Sequence, residues 1–195
     1  VLHLSAHSDR ALVDAIEQRF RLAHITCNWV IAPAEIHSVV PDVWINICPG
    51  LAPRKANSLS ESDWACALQD TVVFAARGAR MASKHMIGRR SGIIINIASA
   101  LGEMAEEDRA LESVVGAGIS ALTRSLGVEW GPAGVRVVGI ALPPADVRNI
   151  RLPLRRAPSL QDVADAAYFL ASADASYLTA ETIRVDAGWG AYQLF

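Results

Sequence analysis

No glycine occurs before Gly50 in this chain of 195 residues. The pyrophosphate of a dinucleotide sits against a glycine-rich turn between a strand and a helix, because a Cβ there holds the phosphate away from the backbone. The turn after the opening apolar run, Val1 to Leu4, is Ser5-Ala6-His7-Ser8, so that cradle is missing. Lysine is scarce as well: Lys55 and Lys84 are the only two among 18 basic residues, and the net charge is −2. Without a concentrated basic surface, nucleic acid is not an expected partner. The three cysteines, Cys27, Cys48 and Cys66, are odd in number and sit in or beside apolar segments. That pattern suggests free thiols in a reducing compartment, with the cytoplasm as the default. No apolar run approaches the roughly twenty residues needed to cross a bilayer. The N-terminus lacks a charged region followed by an apolar stretch, so neither a membrane span nor export is expected. The five histidines (His3, His7, His24, His37, His85) show no paired spacing with each other or with cysteine, which argues against a metal site.

What is present is apolar: 52% of the side chains are hydrophobic, enough to bury the core of one domain spanning residues 1–195. Asp9 is a plausible cap for a helix carrying Leu12, Val13, Ile16 and Phe20 on one face. A second strand is expected at about Ala23 to Asn28. The residues after it, Trp29-Val30-Ile31-Ala32-Pro33, offer neither an acid for an adenosine ribose nor an arginine for a 2′-phosphate. The run from Asp42 to Cys48 reads as a buried strand, closed by Pro49-Gly50. About fourteen residues separate it from the preceding strand, too few for a further strand and crossover pair. One strand and one crossover helix are therefore expected to be missing on this side. Glu61 to Met86 reads as one long helix capped by Ser60 or Ser62, with Trp64, Leu68, Val72, Ala75 and Ala79 as its apolar stripe.

The stretch from Gly92 to Pro144 organises the rest. Gly92-Ile93-Ile94-Ile95-Asn96-Ile97-Ala98-Ser99 is a buried strand that ends on a polar residue. A helix from about Arg109 to Trp130, the breaker Gly131-Pro132-Ala133-Gly134 and the strand Val135 to Ile140 follow. In such a unit, ligands bind beyond the carboxyl ends of the strands, so Ser99 is expected at the edge of a crevice. Arg148 to Pro158 reads as an irregular surface excursion. Leu160 to Ala171 reads as an amphipathic helix, and Thr182 to Asp186 as a last strand. Alternating strands and helices give an α/β, doubly wound, mostly parallel sheet, reduced in its N-terminal half.

Asn96-Ile97-Ala98-Ser99, the segment Ala121 to Val137, the segment Gln161 to Ser172, and Val185-Asp186-Ala187-Gly188-Trp189 together resemble the short-chain dehydrogenase/reductase family. The match is specific from about Pro41 to Trp189 and loose before it. The resemblance implies a Rossmann-like sheet and a reactive set of Ser, Tyr, Lys and Asn. In the family, Tyr exchanges a proton with the substrate oxygen, Lys tunes Tyr and binds the nicotinamide ribose, Ser orients the carbonyl, and Asn supports a proton relay. Ser99 matches the serine. The Tyr and Lys positions fall on Glu112 and Gly116, and the Asn position on Thr71. Asn46-Ile47-Cys48-Pro49 stands where the family has Asn-Asn-Ala-Gly. A carboxylate has the wrong resting pKa for a phenol's task, and glycine supplies no cation. The resemblance thus implies a degenerate, truncated member with no catalytic set and no cofactor of its own.

Ser99 lacks a nucleophile elbow and reads as vestigial or as a strand cap. Glu112 lies in the acidic run Glu106 to Glu112, where a solvated first-turn carboxylate favourable to the helix dipole is expected. His7 reads as a loop histidine near the crevice, and Cys48 as a buried, inert thiol. Gly116, Gly118 and Gly127 lower helix propensity and ask for a packing reason, for which close helix contact is expected. In the family this helix and the preceding long one form a four-helix subunit interface, and the last helix and strand form another. The resemblance therefore implies an intact paralogue as partner, with NAD bound in that partner, in a heterotetramer through the long central helices and the C-terminal helix, strand and tail. The tail Trp189 to Phe195 is too apolar for a comfortable free end and is expected to dock on its own subunit or a neighbour. The contrasting expectation is a cofactor-independent lyase or hydrolase using Ser99 with Glu112 or His7, or a homomeric ligand-binding or structural protein.

Overall fold

The computed structural model describes residues 2–6, 10–23, 27–30, 41–48, 50–147 and 152–191, with backbone alone for 2–6 and 27–30. Six parallel strands form one sheet in the order β2-β1-β3-β4-β5-β6. They are β1 (Leu2–Ala6), β2 (Cys27–Val30), β3 (Val43–Ile47), β4 (Gly92–Ser99), β5 (Val135–Leu142) and β6 (Thr182–Arg184). The helices are α1 (Arg10–Leu22), α2 (Glu61–Leu68), α3 (Phe74–Arg89), α4 (Ala110–Trp130) and α5 (Leu160–Ala171).

Period-two alternation along the strands divides the core into two layers. Ile45, Ile47, Ile93, Ile95, Ile97, Val138 and Ile140 point one way, onto Leu12, Val13, Ile16 and Phe20 of α1 and Val163, Ala167 and Leu170 of α5. Trp44, Ile94, Val135 and Val137 point the other way, onto Ala79, Ala82 and Met86 of α3, with Leu126 and Trp130 of α4 packed beside them. Burying each large aliphatic side chain stabilises the fold by roughly 1.5–3 kcal/mol. β4 is buried from Ile93 to Ala98. It pairs with β5 over its full length, from Gly92 opposite Val135 to Ser99 opposite Leu142.

Among the described residues, β1 pairs with β2 on one side and with β3 on the other, and β2 is the outermost strand. Residues 31–40, where the missing strand and crossover helix bear on the chain, lie outside the described residues. β2 extends beyond the end that the apolar run predicts, so Trp29 and Val30 lie inside the strand rather than after it. The remainder of the window for a ribose ligand, from Ile31, lies outside the described residues, as do His7 and the proposed cap Asp9.

The long helix preceding β4 is also different from the expected single element. Ser60 caps it, accepting from the Asp63 amide while Asp63 accepts from the Ser60 amide, as a capping box does. It then passes through a π-helical turn at Gln69–Val73 and runs on to Arg89. Ser159 caps α5 in the same reciprocal way with Asp162.

Candidate functional site

β4 delivers Ser99 to the carboxyl edge of the sheet, where its hydroxyl accepts from the Leu101 amide at 3.3 Å and caps a short 3-10 turn, Ala100–Gly102. That part of the expectation holds: Ser99 is a strand-end cap. Its hydroxyl also hydrogen-bonds the carboxylate of Glu112, one turn into α4.

Glu112 departs from the solvated carboxylate predicted for it. It is only 3% exposed, and burial pushes its carboxyl above the usual range, against the opposing pull of the Ser99 hydroxyl and Arg109. The reason is tertiary: α4 starts against the loop that follows β3, and the Glu112 Oε1 lies 3.8 Å from where a Cβ on Gly50 would stand.

Arg109, the residue before α4, is 6% exposed. Its Nη1 donates to Glu112 Oε2 at 3.0 Å and to the Leu51 carbonyl at 2.9 Å, and its Nη2 donates to Asp146 Oδ1. Neither Arg109 nor Asp146 stands out in the sequence: Arg109 reads as the start of a helix, and Asp146 lies between elements. The only local hint is the three-residue spacing of Arg109 and Glu112.

Gly116 follows one turn after Glu112, and α4 packs flush there. A Cβ built on Gly116 would lie 2.6 Å from the Ser99 carbonyl oxygen and 2.8 Å from the Gly102 nitrogen, both of them backbone. Gly118 meets Val72 of the π turn, and Gly127 meets the backbone of Ala180. All three glycines therefore have packing reasons inside this chain. The space beside Ser99, lined also by Gly116, Ser120 and Thr182, amounts to about 10 Å³, at most one water molecule's worth.

Thr71 sits buried in the π turn and donates its hydroxyl to the Ala67 carbonyl at 2.5 Å, within its own helix. Asn46 is a buried hinge in a polar chain crossing the sheet. It accepts from Trp44 Nε1 at 2.7 Å and donates to Asn96 Oδ1 at 2.8 Å, and Asn96 donates to Thr123 Oγ1 at 2.9 Å. Thr123 passes the chain to the Ile119 carbonyl at 2.8 Å, tying β3 and β4 to α4.

The Cys48 thiol is buried and pushed up to about 12, as an inert thiol should be, and Cys66 is exposed. Among the described residues, no group of three His, Cys, Asp or Glu side chains is placed to hold a metal ion. No described helix is long and apolar enough to cross a membrane. Trp189 is buried against Ala100, Leu101, Ala141 and Leu152 of its own chain, while residues 192–195 of the tail lie outside the described residues.

Residues 26–190 match a family model described as enoyl-(acyl carrier protein) reductase. The chain is 32% identical over 157 residues to a cis-4-hydroxycyclohexanecarboxylate dehydrogenase of Sinomonas cyclohexanicum, covering 73% of this chain and 63% of that protein. It is 33% identical over 143 residues to a 3-oxoacyl-(acyl-carrier-protein) reductase of Chlamydia pneumoniae, covering 67% and 58% respectively. It thus spans about three fifths of the length of these relatives. A solved oxidoreductase of the short-chain dehydrogenase/reductase family from Burkholderia thailandensis shares the fold, with a TM-score of 0.87 and 20% identity, covering 97% of this chain and 92% of that one.

Proposed function

The chain belongs to the short-chain dehydrogenase/reductase family, and from that premise we propose that it is a non-catalytic subunit that stabilises or completes an intact, NAD-binding paralogue. The observation that carries this reading is the packing at Gly116. The family's lysine position has no room for a side chain of any length, because the Ser99 carbonyl and the Gly102 backbone already fill it. The family's tyrosine position holds a buried carboxyl engaged by Arg109 and Ser99. Among the described residues, Gly116 supplies no cation for a nicotinamide ribose at the position where the family has its lysine.

A partner is supported by α4. Val114, Ala117, Ala121, Ser125 and Val128 follow one another at three- and four-residue spacing and are exposed, Val114 at 45% and Val128 at 71%. On the family's pattern this stripe and the preceding helix would meet their counterparts in a heterotetramer, with α5, β6 and the tail forming a second contact. The chain resembles the truncated, cofactor-less partner subunit of 2-(hydroxy(phenyl)methyl)succinyl-CoA dehydrogenase. The assembly would then oxidise a hydroxyacyl-CoA intermediate of anaerobic toluene degradation, with NAD bound by the partner.

Co-expression with the adjacent intact paralogue tests the proposal. The expected result is a heteromer whose dehydrogenase activity falls when this chain is withheld, and no NAD binding by this chain alone at micromolar concentration. A homomer that turns over a substrate unaided would replace this reading with a cofactor-independent lyase or hydrolase, built on Ser99 and the raised Glu112 carboxyl.

A further inference from the structure

Among the segments that leave the carboxyl edge of the parallel sheet are the loops after β3, β4 and β5. In an open α/β sheet these are the loops that a ligand organises. Here they converge on one buried side chain. The Arg109 guanidinium donates to the Leu51 carbonyl at 2.9 Å in the first loop, to Glu112 at 3.0 Å at the start of α4, and to Asp146 in the third. A further link reinforces the first contact: the Arg54 amide donates to the Asp108 carbonyl at 2.7 Å. Asp108 adopts a φ of 60°, a left-handed conformation that a non-glycine residue holds only when its surroundings impose it.

Two of the acceptors, Leu51 and Asp146, lie 58 and 37 residues away in the chain, so those two contacts are not local helix capping. Burying a guanidinium is costly unless its donors are matched, and the fork geometry of arginine is what allows one group to serve several acceptors.

We propose that Arg109 is an internal clamp that takes the organising place of a bound ligand, holding the loops after β3, β4 and β5 in one arrangement. The proposal rests on the reading that no dinucleotide enters this crevice. A chain that keeps the fold without the cofactor would leave three loops without a common anchor, and Arg109 supplies that anchor from within. The clamp gives the carboxyl edge a fixed surface without any ligand.

Amide hydrogen exchange read by mass spectrometry on the full chain tests this, using Arg109→Met, Arg109→Lys and Asp146→Asn. Arg109→Met is expected to speed exchange about tenfold or more in residues 50–54 and 145–147 together, while α5 keeps its protection. Arg109→Lys, a point charge in place of a fork, should restore protection in at most one of the two loops. Asp146→Asn should loosen 145–147 and leave 50–54 as it was. Faster exchange confined to residues 109–112, or spread evenly through α5, would overturn the clamp. Should Arg109→Met fail to fold, unchanged protection of 145–147 in Asp146→Asn overturns it by itself. Titrating NAD into the unmodified chain judges the underlying reading separately, since binding there would remove that reading whatever the exchange experiment gives.

Discussion

The middle of β4 and its carboxyl end are adjacent along one strand and are held by different forces. From Ile93 to Ile97 the neighbours are apolar on both faces, and the one polar side chain, Asn96, is engaged by Asn46 and Thr123. From Ser99 outward the neighbours are Glu112, Arg109 and Asp146, with two of those three charges buried. Aliphatic burial is non-directional and roughly proportional to area, so it survives changes of residue type. Buried charge is directional and is tolerated only while each partner remains. The first region can drift in sequence and keep its fold. The second depends on its particular set of partners.

The sharpest test of this contrast is in the middle of the strand. Ile95→Ala removes a fully buried side chain from the layer between the sheet and helices α1 and α5. Loss of about 2–5 kcal/mol is expected in urea unfolding. A change below about 1 kcal/mol would mean that this layer is not the principal source of stability.

Next in size is Gly116→Lys, which puts the family's residue back. Its Cβ would press on backbone atoms of Ser99 and Gly102 that cannot rotate away. Destabilisation of about 1–3 kcal/mol is expected, with no NAD binding in calorimetry. A stable variant that binds NAD would show that the crevice is only one substitution from function.

These regions also differ in how far the sequence reveals them. β4 and α5 can be read directly, because a strand covered on both faces is a continuous apolar run, and α5 begins at a serine three residues before an acid. The boundary of β2 cannot, since nothing in Ala23 to Val30 distinguishes strand from approach. The π turn at Gln69–Val73 has no signature in composition and follows from how α4 packs there, with Gly118 against Val72. The positions of Ser99, Glu112, Gly116 and Thr71 in the site come only from the resemblance to the family. The burial of Glu112 cannot be read from the sequence, because its main partners come from Arg109 and Ser99, and the covering loop from Gly50 and Leu51. An acidic helix start looks the same whether it faces water or another loop.

Glu112→Gln separates burial from charge at smaller cost. Because the carboxyl is raised in the folded chain, the fold holds the proton more tightly than the unfolded chain, whose carboxyl titrates near about 4.3. Stability should therefore increase as pH falls from above the folded value to below the unfolded one. Gln removes that dependence, and at neutral pH it should leave the chain as stable as the parent or slightly more so, within about 1.5 kcal/mol. Thermal unfolding from acid to neutral pH in both proteins is the measurement. A parent that loses stability as pH falls through this window would mean that the Arg109 pair outweighs burial.

The smallest effect on the isolated chain is expected on the exposed side of α4, where Val128 is 71% exposed and touches nothing that the core depends on. Val128→Glu places a charge at the C-terminal end of the exposed stripe, and unfolding of the isolated chain should change by less than about 0.5 kcal/mol. Co-purification with an intact paralogue should nonetheless be lost, because a charge forced into an apolar contact has no partner there. Size-exclusion chromatography of the co-expressed pair decides it. Persistence of the complex would move the contact away from α4 to α5 and β6, and leave the α4 stripe as solvent-facing surface. Loss of the complex would extend the comparison to a third region, a helix face whose apolar side chains matter to the assembly rather than to the fold.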